Sequence, residues 1–333
     1  MKKIAVEEAF LTHEISKEWD KVLSKQDAEP GFLAMGKGYL RKHSGTASLH
    51  EKLLDLGPLR IAEMDATGID LQIISLCSPG VQVIDDGAAN ALARHANDVL
   101  LDAINTYPTR FSGLAAIAPQ DPKSSVVELE RAKKCGLKGV IINSHTRGEY
   151  LDNSKYWPIL EACQDLDFPL YLHPREPSPA MVAPYLDYGL YFAGWGFAAE
   201  AGLHAMRLIM SGIFDHLPKL RIVLGHLGEG IPFWLQRIDN RYIVLLKAGV
   251  CQKLNYLPSE YFRNNFVITT SGMYSSAALA LCLEEVGIES VLFAADYPHE
   301  RSQDAVEFID TLRLSVNERD SILWRNATRI FKL

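Results

Sequence analysis

Carboxylates and imidazoles seldom end an apolar run without a chemical reason, because burying them unpaired is costly. In this sequence Glu7, His173, His226 and Asp296 each end such a run. Glu7, His173 and Asp296 offer two hard oxygens and one nitrogen, a donor set for one divalent cation with room for water and substrate oxygens. That balance favours Mn2+, and Mg2+ or Zn2+ is also compatible with it. His226 lies in Gly225-His226-Leu227-Gly228-Glu229-Gly230, where it is either a fourth ligand or an unligated acid/base whose tautomer Glu229 holds. Eleven residues further on, Arg237 could clamp a carboxylate or phenolate, or pair with Asp239 on an exposed helix. Trp195 and Phe197, bracketed by Gly194 and Gly196, suit either an aromatic wall or core packing.

These side chains need a scaffold that brings distant positions to one rim. Eight apolar or β-branched runs recur: Ile4–Glu7, Leu71–Cys77, Phe111–Ala118, Gly139–Asn143, Pro169–His173, Arg221–His226, Phe266–Ser271 and Ser290–Asp296. Between most of them lie helical patterns, at Ala88–Tyr107, Ser124–Cys135, Ser154–Asp165, Ala198–Ser211 and Ser275–Val286. Apolar strands alternating with helices predict a parallel sheet covered on both faces, and eight units predict an α/β fold of the (β/α)8 TIM-like barrel type. The predicted strand ends, Cys77, Asn143 and Ser271 among them, then converge at the C-terminal rim. Residues 8–62 and 174–196 are insertions after strands 1 and 5, each a lid or pocket wall or else an external packing element. The whole of 1–333 is expected to be one barrel domain, with 8–62 as an active-site loop.

Lys and Arg total 34 against 41 Asp and Glu, a net charge of −7 that leaves no basic footprint for nucleic acid. No apolar run reaches the roughly 18 residues that cross a bilayer. The start, Met1-Lys2-Lys3-Ile4-Ala5-Val6-Glu7-Glu8, places two acids where a signal peptide needs an apolar stretch. Five cysteines without metal-finger spacing read as reduced thiols of a cytoplasmic protein.

The chain resembles the metal-dependent decarboxylases of the amidohydrolase superfamily, the group acting on 5-carboxyvanillate, 2,3-dihydroxybenzoate and γ-resorcylate. The stretches that carry this are Ile4–Phe10, Met64–Asp70, Ser78–Gln82, Ala118–Pro122, Ile142–Thr146, Tyr171–Pro174, Gly225–Glu229, Asp296–Pro298 and Asn326-Ala327, in order along nearly the whole chain. The resemblance implies that Glu7, His173 and Asp296 hold the metal, that His226 and Glu229 work beside the substrate, and that Arg237 meets its carboxylate. Cys77, Asn143, Phe197 and His299 complete the expected pocket. It also implies a small aromatic acid as substrate and a homodimer or homotetramer. Ala9 occupies a place that is His in γ-resorcylate members and Ala in the other two groups. Two positions depart from the pattern. Gly45 stands where a second arginine is expected to meet the extra carboxylate of 5-carboxyvanillate, with Arg41, Lys42 or His43 as nearby substitutes, and His299 replaces an aromatic residue.

The expected reaction is non-oxidative decarboxylation of an ortho-hydroxylated benzoate, with Asp296 as the proton donor to the ipso carbon. One alternative is a metal-dependent hydrolase of an ester, lactone or amide on the same barrel, which Ala9 disfavours. An inert binding barrel is a second alternative, disfavoured by the intact acid and imidazole set.

Overall fold

The structure, a computed structural model, describes residues 1–38 and 47–333. The apolar runs form short parallel strands: β1 (Ile4–Phe10), β2 (Leu71–Leu76), β3 (Phe111–Gly113), β4 (Ala115–Ala116), β5 (Val140–Asn143), β6 (Leu170–His173), β7 (Ile222–Leu224), β8 (Phe266–Thr269) and β9 (Val291–Leu292). They order as β1-β2-β3 and β4-β5-β6-β7-β8-β9. β3 and β4 share one barrel position, broken at Leu114 where the chain changes partner. Leu114 N–H donates to Ile74 O (2.9 Å), and Ala115 N–H donates to Gly139 O (2.8 Å). Val6 N–H to Phe293 O (3.2 Å) and Ala9 N–H to Tyr297 O (2.7 Å) join the last segment to the first. The expected (β/α)8 barrel is therefore closed.

Alternation along the strands divides the core in two. Ile4, Val6, Ile73, Ile141, Tyr171, Val223 and Val267 fill the interior, stoppered at one end by Ala327, Ile330 and Phe331 of the C-terminal helix. Ile74, Ile142, Leu172, Leu224 and Ile268 face the surrounding helices. The expected helices are present as Asp86–Thr106, Pro122–Cys135, Trp157–Asp165, Gly196–Met210 and Ser276–Val286. Local chemistry sets their ends. In Pro122–Cys135, Asp121 accepts from Ser124 N–H, Pro122 opens the first turn and Gly136 closes the last at φ 101°.

The first strand differs from the expectation that it stops at Glu7: it runs on to Phe10. Its pairing passes from Ala5 opposite Gln72 to Glu8 opposite Ile74, so both Val6 and Glu7 stand opposite Ile73. This β-bulge puts Val6 and Glu7 on one face and returns Glu8 to the other.

The insertion after β1 is mostly helical, with His13–Leu23, Pro30–Gly38, Ala47–Leu54 and Pro58–Thr67. Trp19 Nε1 donates to Gly80 O (2.8 Å) beyond β2, Arg175 pairs with Glu29 (2.6 Å) beyond β6, and Tyr191 donates to Ala34 O (3.3 Å). The two insertions thus meet each other over the C-terminal rim. Gly45, Arg41, Lys42 and His43 lie outside the described residues.

Candidate active site

The β1 bulge aims Glu7 into the mouth, where it is 3% exposed. Thr269 Oγ1 at the end of β8 donates to Glu7 Oε2 (2.8 Å), and Ser271 Oγ donates to the same oxygen. Glu7 Oε1 is buried with no hydrogen-bond donor. It faces His173 Nε2 at 3.6 Å and His226 Nε2 at 3.9 Å. Gly225 makes this approach feasible, because a Cβ there would stand 2.9 Å from Glu7 Oε1.

His173 closes β6. Its Nδ1 hydrogen-bonds Pro174 O (2.8 Å), which leaves the Nε2 lone pair directed at Glu7. Burial holds its pKa below the ordinary value, outweighing the attraction of Glu7. Asp296 follows β9 at φ 59°, in the left-handed region. Burial, with the nearby charge of Glu7, pushes its carboxyl up to about 7. Glu7, His173 and Asp296 each offer a ligand atom within 4.8 Å of the others. A donorless buried carboxylate oxygen amid such a set is the arrangement a divalent cation would satisfy, and the residues fit one.

His226 begins a left-handed run, with φ of 49° at His226, 54° at Leu227, 76° at Gly228, 52° at Glu229 and 78° at Gly230. Its Nδ1 donates to Glu229 Oε1 (2.8 Å), and its Nε2 lies 3.7 Å from Asp296 Oδ2. Burial works against a charged ring here, but Glu229 and Glu7 outweigh it and hold the pKa well above the usual imidazole range. Glu7 goes the other way: despite burial, His226, His173 and the Ser271 hydroxyl keep it below the usual carboxylate value. The mouth is thus a set of acids and imidazoles that share charge and place protons at defined atoms.

Other expected residues fall at varied distances from this cluster. His299 borders it, and burial depresses its pKa to about 4, a neutral ring with Nε2 at 3.5 Å from Cys77 Sγ. Burial pushes the Cys77 thiol up to about 12, so the sulfur is a neutral neighbour rather than a nucleophile. Asn143 sits beside His173 in the β5–β6 register, and its Oδ1 is buried without a donor. Phe197 packs edge-on against Phe192 (5.5 Å) at the start of the helix Gly196–Met210. Arg237 is not brought to the cluster. It is exposed on the helix Ile231–Lys247 and lines an open groove of about 540 Å³ with Met206, Met210, Trp234 and Arg241, which Glu229 borders from beneath. That helix turns Arg237 to its outward face, on the side opposite Leu235 in the core.

Sequence reasoning assigned no role to Thr269, Ser271, Gly225, Gln82 or Glu8. Gln82 accepts from Asn143 N–H (2.7 Å) and donates to Asn143 O and His145 O (3.0 Å each), fixing the end of β5. The only signal for Ser271 was its place at a strand end.

A family model described as amidohydrolase matches residues 50–333. γ-Resorcylate decarboxylase of Polaromonas sp. strain JS666 is 39% identical over 295 residues, covering 86% of this chain and 90% of that protein. The crystal structure of 5-carboxyvanillate decarboxylase from Sphingomonas paucimobilis matches with a TM-score of 0.96 at 40% identity, covering 100% of this chain and 99% of that one. 5-Carboxyvanillate decarboxylase from Novosphingobium aromaticivorans, solved with manganese and 4-hydroxy-3-methoxy-5-nitrobenzoic acid, matches at 0.97 and 40%, covering 100% and 96%. The chain belongs to the amidohydrolase family and, within it, to the aromatic acid decarboxylases, which are carboxy-lyases.

Proposed function

We propose that this protein is a manganese-dependent, non-oxidative decarboxylase of a benzoate carrying a hydroxyl ortho to its carboxylate. The observation that carries the reading is the Glu7, His173 and Asp296 cluster around a buried, donorless Glu7 Oε1 at the barrel mouth. The manganese and the benzoate analogue of the Novosphingobium relative support the choice of metal and substrate class. Manganese, when bound, supplies a Lewis-acidic anchor for adjacent carboxylate and phenol oxygens.

Glu7, His173 and Asp296 would hold it. Asp296 delivers a proton from its carboxyl to the ipso carbon of the ring, a role suited to an acid whose pKa lies near neutrality. The C–C bond to the carboxylate then breaks, its electron pair restores the aromatic ring, and CO2 leaves. His226, tautomer-locked by Glu229, holds Nε2–H toward the substrate's oxygens and stabilises the phenolate as charge gathers there. His299, Cys77 and Asn143 form the remaining wall.

Residues 1–333 act as one barrel domain in this reading, and the helical part of 8–62 serves as its lid through the Trp19, Glu29 and Ala34 contacts. A homodimer or homotetramer covers the exposed Phe233, Trp234, Ile243, Val244 and Leu245. Five free thiols suit a cytoplasmic location, and no described helix is long and apolar enough to cross a membrane.

The test is a panel of hydroxybenzoates with Mn2+-loaded protein in 18O-labelled water. CO2 release with no solvent oxygen in the arene is expected, whereas 18O in the organic product identifies a hydrolase. Light scattering at micromolar concentration checks the assembly, which a monomeric mass would refute.

A further inference from the structure

Glu8 is a fully buried acid that the chemistry above does not use. Its carboxyl spans the backbone on both sides of Asp296. Ala295 N–H donates to Oε1 (3.0 Å), and Tyr297 N–H donates to Oε2 (3.2 Å). Between those two amides the backbone of Asp296 takes φ 59°, a conformation that non-glycine residues disfavour and that needs outside support. The clamp is itself fastened. Gln72 Nε2 donates to Glu8 Oε2 (3.3 Å), and buried Arg60 donates to Gln72 Oε1 (3.3 Å) and to Ala9 O (2.6 Å). The Arg60 guanidinium also lies 4.8 Å from the centroid of the Tyr297 ring.

We infer that Glu8 is a positioning residue: by pinning the amides of Ala295 and Tyr297 it sets the backbone turn that aims Asp296 into the metal cluster. The inference rests on the reading of Asp296 as a metal ligand. The β1 bulge explains how one strand does both jobs, sending Glu7 into the mouth and Glu8 behind it to the Asp296 backbone. A carboxyl group accepts at both oxygens. The isosteric amide of Gln accepts at one and sets its own N–H against a backbone N–H at the other, so Glu8→Gln releases one side of the turn with almost no change in volume.

The experiment measures Mn2+ binding to metal-free protein by the electron paramagnetic resonance of free Mn2+, together with the Tm of the metal-free form. The variants are wild type, Glu8→Gln, Asp296→Ala and the double variant. Loss of a group that orients a ligand typically weakens metal binding about 10- to 100-fold, and that loss is expected for Glu8→Gln. If Glu8 acts through Asp296, the same change made in Asp296→Ala should cost less than about threefold, because the coupled residue is gone. An unchanged Mn2+ affinity in Glu8→Gln overturns the inference, as does an equal loss in both backgrounds, which marks a general structural role. If Glu8→Gln does not fold, Gln72→Met carries the same cycle by loosening Glu8 Oε2. It should give a smaller loss that again vanishes with Asp296→Ala, and no loss overturns the inference. A wild-type protein that binds no Mn2+ overturns the functional reading itself, and this inference with it.

Discussion

Replacing Gly225 by Ala adds one methyl group 2.9 Å from Glu7 Oε1 and 3.3 Å from Oε2. The backbone at this position, φ −66° and ψ −179°, is extended and accepts any L residue, so the contact with Glu7 is the perturbation. Ordinary contact begins near 3.4 Å, so the carboxylate must retreat by about half an ångström. It cannot slide as a whole, because Oε2 is tied to Thr269 (2.8 Å) and to Ser271. Rotation about that anchor carries Oε1 away from His173. Metal–ligand distances tolerate only about 0.2 Å, so a weakening of about 10- to 100-fold in Mn2+ affinity is expected. At 1.4 kcal/mol per decade this is about 1.4–2.8 kcal/mol. The assay titrates metal-free Gly225→Ala with Mn2+ and follows decarboxylation as a function of Mn2+, where saturating metal should recover part of the rate. Gly202→Ala is the control, since its methyl meets nothing nearer than Glu229 O at 3.4 Å. Wild-type Mn2+ affinity in Gly225→Ala, or an equal loss in Gly202→Ala, would refute the argument.

Glu7→Ala, His173→Ala and Asp296→Ala should each lower metal content, whereas His226→Asn should keep the metal and lose most turnover. Metal analysis of the purified variants separates the two classes, and metal loss in His226→Asn equal to that in His173→Ala would make His226 a ligand. Burial, reinforced by Arg207, depresses His204 to about 3 against about 6.5 in the unfolded chain, so the unfolded chain gains the extra proton first and stability falls as pH drops below 6.5. From pH 7 to 5 that ring alone should cost about 2 kcal/mol in urea unfolding, and His204→Gln should lose correspondingly less over the same interval. 5-Carboxyvanillate should be a poor substrate beside γ-resorcylate or 2,3-dihydroxybenzoate, because Gly45 offers its second carboxylate no guanidinium. A missing charge-assisted partner costs about 2–5 kcal/mol, or roughly 30- to several-thousand-fold in kcat/KM, and a tenfold preference for 5-carboxyvanillate would refute this.

The barrel was legible because its strands are buried on both faces and therefore read as apolar runs, each stopped by a polar residue at the rim. The metal-ligand candidates were legible for the same reason: His173 and Asp296 are the first residues in their runs that an apolar core does not explain. What stayed hidden depends on closure. Thr269 and Ser271 reach Glu7 across 262 and 264 residues of chain, and nothing local in a Thr-Thr-Ser end marks them as donors to it. Gly225 reads as a loop glycine until the carboxylate it admits is in place. Arg237 read as a residue of the mouth from its distance along the chain, yet the helix periodicity that buries Leu235 turns it outward.

Glu7-Glu8 is the sharpest case. Strict alternation from Ile4 inward would have put Glu7 outside the barrel and Glu8 within it, the reverse of what is observed. One extra residue opposite Ile73 inverts the assignment, and no propensity along Ile4–Phe10 announces it. The inversion has a physical logic. A bulge lets two adjacent carboxyl groups avoid each other by taking opposite faces, one meeting imidazoles and hydroxyls and the other meeting backbone amides. Each acid thus finds donors or charge partners that a flat strand would have denied one of them, and the same residue that disrupts the ladder joins the first strand of the barrel to the ligand turn after the last.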